Sequence, residues 1–178
     1  MVDAFVVDTN VLIVSSAADE ASSFQPAATP VEEAALRSEV LAWLQGFEQD
    51  SARHAVLDWD WMICGEYQHK LTEQDYGWLA IMAKKDRDEV IWVGLESDAD
   101  GHAILPDALA VAVTDLADRK MVAAMLAAND QKHSCSLVNA CDTDWLECAE
   151  GLAAHGLEVK HLIEHWLRNK WHSMQAGQ

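Results

Sequence analysis

The chain opens on four consecutive apolar residues, Ala4-Phe5-Val6-Val7, which stop abruptly at Asp8-Thr9-Asn10. An unbroken apolar run of this length, without polar alternation, fits a strand covered on both faces. The pattern therefore predicts a buried first strand that presents Asp8 at its carboxyl end. From Ser15 to Pro30, through Ser22-Ser23 and Pro26, no period is visible and a loop is expected. Thr29, with Pro30 next and Glu32 three positions on, reads as a capping box that starts a helix at Thr29. Val31, Ala35, Val40, Leu41 and Leu44 form its apolar face. A second short strand is predicted from His54 to Leu57, after which Asp58 and Asp60 open a helix through Met62, Ile63, Glu66, Tyr67 and Leu71.

Asp75 to Lys85 reads as a further helix with Trp78, Leu79 and Met82 inward, and Val90-Ile91-Trp92-Val93 as a strand. Glu96 to His102 is acidic and turn-rich, and Pro106 to Thr114 has no clean period. Leu116 to Asn129 is a helix carrying Met121, Val122, Met125 and Leu126. Cys135 to Val138 is a strand ending at Asn139, and Asp144 or Trp145 starts a helix that ends before Gly156. Leu157 to Leu162 and Ile163 to Trp171 complete the pattern as a last strand and a last helix, followed by a frayed tail at 173–178. Short apolar strands alternating with longer helices predict an α/β fold: a three-layer sandwich with a short central parallel sheet and helices on both faces, forming a single domain over 1–172. In such sheets ligands gather beyond the carboxyl ends of the strands. That rule selects Asp8, Asp58 or Asp60, and the Asp142–Asp144 pair as neighbours in space.

Composition narrows the chemistry. The 178 residues are 51% hydrophobic, enough for a substantial core, and carry 30 acidic against 12 basic side chains for a formal charge of -18. General attraction to nucleic acid or anionic membrane is excluded as a mode of binding, so a polyanionic substrate needs a local basic strip or bound cations. Lys84, Lys85 and Arg87, together with Arg119 and Lys120, are candidates for such a strip, and Lys160, Arg168 and Lys170 for a second. The apolar runs are too short to span a bilayer, and the N-terminus lacks the basic and apolar regions of a secretory signal, so a cytoplasmic location without membrane contact is expected. Cys64, Cys135, Cys141 and Cys148 lack zinc-ribbon spacing and read as reduced core thiols. There is no GxSxG elbow, P-loop or dinucleotide fingerprint. His161 and His165 lack the Glu of a zincin and read as a surface pair. The tryptophans Trp59, Trp61, Trp145, Trp166 and Trp171 read as core seams or a partner surface.

What stands out is acid at strand ends, with Glu66 and Asp118 on helices able to face the same crevice. Carboxylates gathered there without counterions repel one another, and divalent cations relieve the conflict. Oxygen-only ligands suit Mg2+ or Mn2+ better than zinc. Taken together and in order, Val6-Val7-Asp8-Thr9-Asn10-Val11-Leu12, Ile63-Cys64-Gly65-Glu66-Tyr67 with Leu71, Asp115-Leu116-Ala117-Asp118-Arg119-Lys120-Met121 and Leu137-Val138-Asn139-Ala140-Cys141-Asp142-Thr143-Asp144-Trp145 resemble the four motifs of PIN-domain nucleases. Gly156-Leu157-Glu158-Val159 is similar to the last strand of that family, so the resemblance spans nearly the whole chain.

The resemblance implies metal ligands at Asp8, Glu66 and Asp118, with Asp115 in reserve, and at Asp142 or Asp144 according to register. Thr9, Asn10 and Asn139 would brace them; Asn139 and Trp145 stand where the family often has Thr and Phe. It further implies Mg2+- or Mn2+-dependent hydrolysis of RNA phosphodiesters by a metal-activated water. Many members are toxins held silent by an antitoxin-like protein, and many form homodimers. The acidity of this chain and the added length between Glu66 and Asp115 depart from the small toxins. The rival expectation is a catalytically inactive PIN-like module that binds another protein through its tryptophans and helices.

Overall fold

A computed structural model describes residues 1–178. The first strand, β1 (Asp3–Val7), buries Ala4 through Val7 completely or nearly so, as an uninterrupted apolar run requires. Four further strands, β2 (Arg53–Asp58), β3 (Val90–Val93), β4 (Cys135–Asn139) and β5 (Glu158–His161), join it in one all-parallel sheet of order β3-β2-β1-β4-β5. β1 is central, and the chain leaves it first toward β2 and β3, then returns on its other side to β4 and β5.

Right-handed crossovers turn that reversal into two helical layers. On the way out the chain forms α1 (Thr9–Ala18), α2 (Ala34–Gln49), α3 (Met62–Lys70) and α4 (Tyr76–Asp86), and α1 packs against the other three. On the return it forms α5 (Asp107–Ala112), α6 (Arg119–Asp130), α7 (Asp144–Glu147) and α8 (Ala149–Ala153), with α6 lying across β1 to β4. α9 (Glu164–Ala176) closes the chain. The result is a three-layer α/β sandwich around a single cluster of 44 buried apolar residues. No helix is long and apolar enough to cross a membrane.

α1 and α4 approach each other closely at Gly77. A Cβ at Gly77 would lie 2.6 Å from the Leu12 carbonyl oxygen, so this position holds no side chain. The Gly77 N–H instead donates to Ser16 Oγ at 3.0 Å.

Several sequence expectations are corrected. Ser15 and Ser16, expected in a loop, are buried in the last turns of α1. The helix expected from Thr29 begins only at Ala34; Pro26–Ala28 is a 3-10 turn, and Arg37 Nη1 holds the intervening segment by donating to the carbonyls of Val31 and Glu32 at 2.9 and 2.7 Å. Seating Val31 in the core displaces the capping box. Asp107–Ala112 is helical despite its unclear period, α6 starts at Arg119 rather than Leu116, and the helix expected up to Gly156 is broken at Cys148. α9 continues to Ala176, through most of the segment expected to fray.

The basic strip at Lys84 and Arg87 is also corrected. Lys84 is fully buried, donating to the Asp50 carbonyl at 2.7 Å and to Glu89 Oε2 at 2.8 Å, and Arg87 pairs with Glu48 and Glu89. These cations clamp the entry of β3, at the edge of the sheet opposite the carboxyl ends. Lys160 lies over the ring of Phe5, Lys170 over Trp166, and Arg168 pairs with Glu164, so the second strip is likewise engaged in local contacts. All four cysteines are buried and unbridged. Trp145 is fully buried, whereas Trp59 is 66% exposed and stacks on Trp92.

Candidate metal centre

The switch in chain direction at β1 leaves a crevice between the carboxyl ends of β1 and β4, the position where open α/β sheets take ligands. Val7 pairs with Val138, and the Asp8 N–H donates to the Val138 carbonyl at 3.0 Å, which sets Asp8 beside Asn139. Asp8 is the residue before α1, and its Oδ1 accepts the Asn10 N–H at 3.1 Å as a helix cap. The same oxygen accepts Asn10 Nδ2 at 2.8 Å, and Oδ2 accepts the Trp145 indole N–H at 2.7 Å.

Asn10 ties the two strand ends together. Its Nδ2 also donates to Asn139 Oδ1 at 2.9 Å, and its Oδ1 accepts the backbone N–H groups of Ala140 and Cys141 at 2.8 and 3.2 Å. Asn139 Nδ2 donates to the Asp142 carbonyl at 3.0 Å, and Asn139 Oδ1 accepts the Asp142 N–H at 3.2 Å, so the turn that carries Asp142 is fixed from beneath. Asp118 takes the N-cap position of α6, yet its carboxylate accepts no bond from the helix. It turns instead toward Asp8 and Asp142, and carboxylate oxygens of these three residues lie within 4.8 Å of one another.

None of the three acids forms a salt bridge. Burial is the main force on each: it pushes the Asp8 carboxyl up to about 7, with Asp142 and Glu66 adding repulsion, and Asp118 up to about 8, with Asp8 and Asp142 adding to it. Asp142 is raised for the same reason. These are all-oxygen donors, half-buried or buried, whose mutual repulsion no salt bridge relieves, Lys170 acting on Asp142 only at longer range. A hard divalent cation such as Mg2+ or Mn2+ fits that donor set.

Asp144 and Asp115 stand outside this trio. They form an exposed group with Asp118, within the same 4.8 Å limit, on the wall of a cleft of about 280 Å3 that Glu147 and Cys148 also line. The Asp144 N–H donates to Asp142 Oδ1 at 2.9 Å. Glu66 is not among the clustered carboxylates. Its Oε1 receives Lys120 Nζ at 2.8 Å, and its Oε2 accepts the hydroxyl of Thr9. Asp58 and Asp60 are not neighbours of the trio either. Asp58 is buried and caps α3, accepting the N–H groups of Met62 and Ile63 at 2.9 Å each, and Asp60 is exposed.

Two contributors were not legible as such. Trp145 is more than a replacement for Phe, because its indole N–H holds Asp8; an indole beside a strand-end acid is the available signal. His161, read as half of a surface pair, faces Asn139 across the β4–β5 register and places Nδ1 3.1 Å from Asn139 Nδ2. Burial lowers its pKa, which favours the neutral ring that can accept this bond.

A wider groove of about 600 Å3 runs on the other side of Glu66, lined by Trp61, Met62, Gln68, His69 and Lys120. Glu66 and Lys120 belong to this groove and Asp118 to the acidic cleft, whereas Asp8 and Asp142 line neither. Arg119 does not face either as a free cation; it donates to the carbonyls of Val113 and Ala110 at 3.1 and 2.9 Å. The chain matches no family model, no curated protein and no solved structure.

Proposed function

We propose that the protein is a PIN-like, Mg2+- or Mn2+-dependent ribonuclease. The observation that carries this reading is the convergence of Asp8, Asp118 and Asp142 at the carboxyl edge of the sheet, none of them in a salt bridge. Asp8, Asp118 and Asp142 would hold the ion. Bound there, a divalent ion supplies Lewis acidity, acidifying water and neutralising charge on a phosphodiester. The protein's own part is positional: Asn10 and Trp145 fix both oxygens of Asp8, and Asn139 fixes the turn of Asp142. Such supporting bonds hold ligands in place and tune their basicity.

The chain order also supports the family assignment, with strand-end Asp8, helical Glu66, then Asp118 and Asp142, on a sheet ordered β3-β2-β1-β4-β5. An open cleft at Asp118 and a wide groove at Glu66 suit an extended polymer better than a small molecule. With a chain charge of -18, the cation is needed for substrate approach as well as for chemistry. An antitoxin-like inhibitor and a homodimer are further parts of the proposal, carried by the resemblance.

The test is cleavage of a short unstructured RNA, and of the matching DNA, by purified protein in chelator, Mg2+ or Mn2+. Cleavage of the RNA only with the divalent ion, lost in Asp8→Asn, is expected. Absence of both cleavage and Mn2+ binding overturns the reading. It would favour the second one, a catalytically silent protein-binding module, for which the exposed Trp59 stacked on Trp92 is the specific observation.

A further inference from the structure

We infer that Lys120 is a built-in counter-cation for Glu66, so that Glu66 stands outside the ligand set of the divalent ion. The inference rests on the metal-dependent reading above and departs from it at one residue, since the resemblance makes Glu66 a ligand.

Four observations converge on the pair. Lys120 Nζ lies 2.8 Å from Glu66 Oε1, with only 12% of the Lys120 side chain and 25% of the Glu66 side chain exposed. The second oxygen, Glu66 Oε2, is occupied by the Thr9 hydroxyl. Lys120 is itself anchored by donation to the Ala117 carbonyl at 2.6 Å. The three aspartates, by contrast, cluster with one another and leave Glu66 out.

The site thus divides into carboxylates with a fixed positive partner and carboxylates without one. A cation entering at the aspartates meets carboxylates that no salt bridge engages, whereas at Glu66 it would have to displace an ammonium already seated 2.8 Å away and held by the Ala117 carbonyl. Partly buried ion pairs of good geometry resist such exchange more than exposed ones do. Thr9 adjoins Asp8 in sequence, so its bond to Glu66 also joins the end of β1 to α3. Lys120 is the one Lys or Arg lining the groove next to Glu66, which makes it the fixed positive charge that a phosphate lying in that groove would meet.

The experiment is calorimetric titration of the full chain with Mn2+, comparing wild type, Glu66→Gln, Lys120→Met, the double variant and Lys120→Arg. Glu66→Gln should bind Mn2+ close to wild type. Lys120→Met should bind about tenfold tighter or gain a second Mn2+, because it frees a carboxylate near the trio, and Glu66→Gln in that background should cancel the gain, a coupling read by the double-mutant cycle. Lys120→Arg, which keeps the charge and the fold, should behave as wild type. A loss of about tenfold or more in Glu66→Gln alone, of the size expected when a metal ligand or its support is removed, overturns the inference while leaving the metal reading intact. Wild type that binds no Mn2+ overturns the metal reading itself, and the inference with it.

Discussion

Replacing Asp8 by Asn tests whether buried, uncompensated charge governs this site. In the unfolded chain the Asp8 carboxyl titrates near 3.8, and in the fold it is pushed up to about 7. Between those values the folded protein keeps a proton that the unfolded chain has lost, so stability is fully present below the lower value and is lost as pH rises through the upper one. At about 1.4 kcal/mol per pH unit, ionising Asp8 costs the metal-free fold on the order of 4 kcal/mol.

Asn carries no charge at any of these pH values and escapes that cost. It introduces another: both oxygens of Asp8 are acceptors, for Asn10 and for Trp145, and an Nδ2 in either place sets donor against donor, at about 1–3 kcal/mol. Asp8→Asn should therefore gain on wild type by about 3 kcal/mol between pH 5, where the carboxyl's cost of about 1.6 kcal/mol and the amide's nearly cancel, and pH 8, where the variant is the more stable. The assay is urea unfolding in chelator across that range, followed by thermal melts, in which each kcal/mol moves the midpoint by roughly 2–4 °C for a chain of this size. Adding Mn2+ at pH 8 should restore wild-type stability and leave the variant unchanged, because the ion binds only the folded, ionised site. Stability curves for the two proteins that run parallel from pH 5 to pH 8 would refute the reasoning.

Other substitutions probe the registers and the frame. Asp142→Asn should weaken Mn2+ binding by at least about tenfold, whereas Asp144→Asn should leave it near wild type; calorimetry on the two variants decides which acid ligates. Lys84→Met leaves Glu89 paired only with Arg87 and strips the Asp50 carbonyl of its donor, and should cost about 3 kcal/mol in urea unfolding with Mn2+ affinity unchanged, since Lys84 lies at the far edge of the sheet. Gly77→Ala drives a Cβ against the Leu12 backbone and should cost about 1–3 kcal/mol by the same measurement.

The first strand was legible because it is a short apolar run that stops at a polar residue, and burial suits Ala4–Val7 and most of Val90–Val93 to a strand, whereas the edge strand β5, Glu158-Val159-Lys160-His161, carries no such run. The acids at the crevice were legible for the same reason: Asp8 is where β1 must end, and the end of β4 fixes Asn139 and places Asp142 just beyond it. What was not legible depends on partners distant in sequence. The local capping signal at Thr29 gives way to the burial of Val31 and to the reach of Arg37. Lys84 resembles a surface charge in a cluster of charges, and only the packing of α4 on the exit of α2 makes it a core residue. Asp58 has the same strand-end position as Asp8, yet its two oxygens are consumed by α3. Position at a strand end selects acids; whether other carboxylates converge on them, as Asp118 and Asp142 do on Asp8, depends on segments distant in sequence.

The side chain of Asn10 has a consequence for how the molecule opens. Because a single amide spans β1 and β4 and accepts both Ala140 and Cys141 N–H groups, those two amides should exchange with deuterium only when the whole sheet comes apart, although they lie beyond the end of β4 and outside the sheet ladder. The crevice has no private melting transition under this arrangement. Asp8 and the turn of Asp142 should stay in register until the last hydrogen bonds of the central strands are gone.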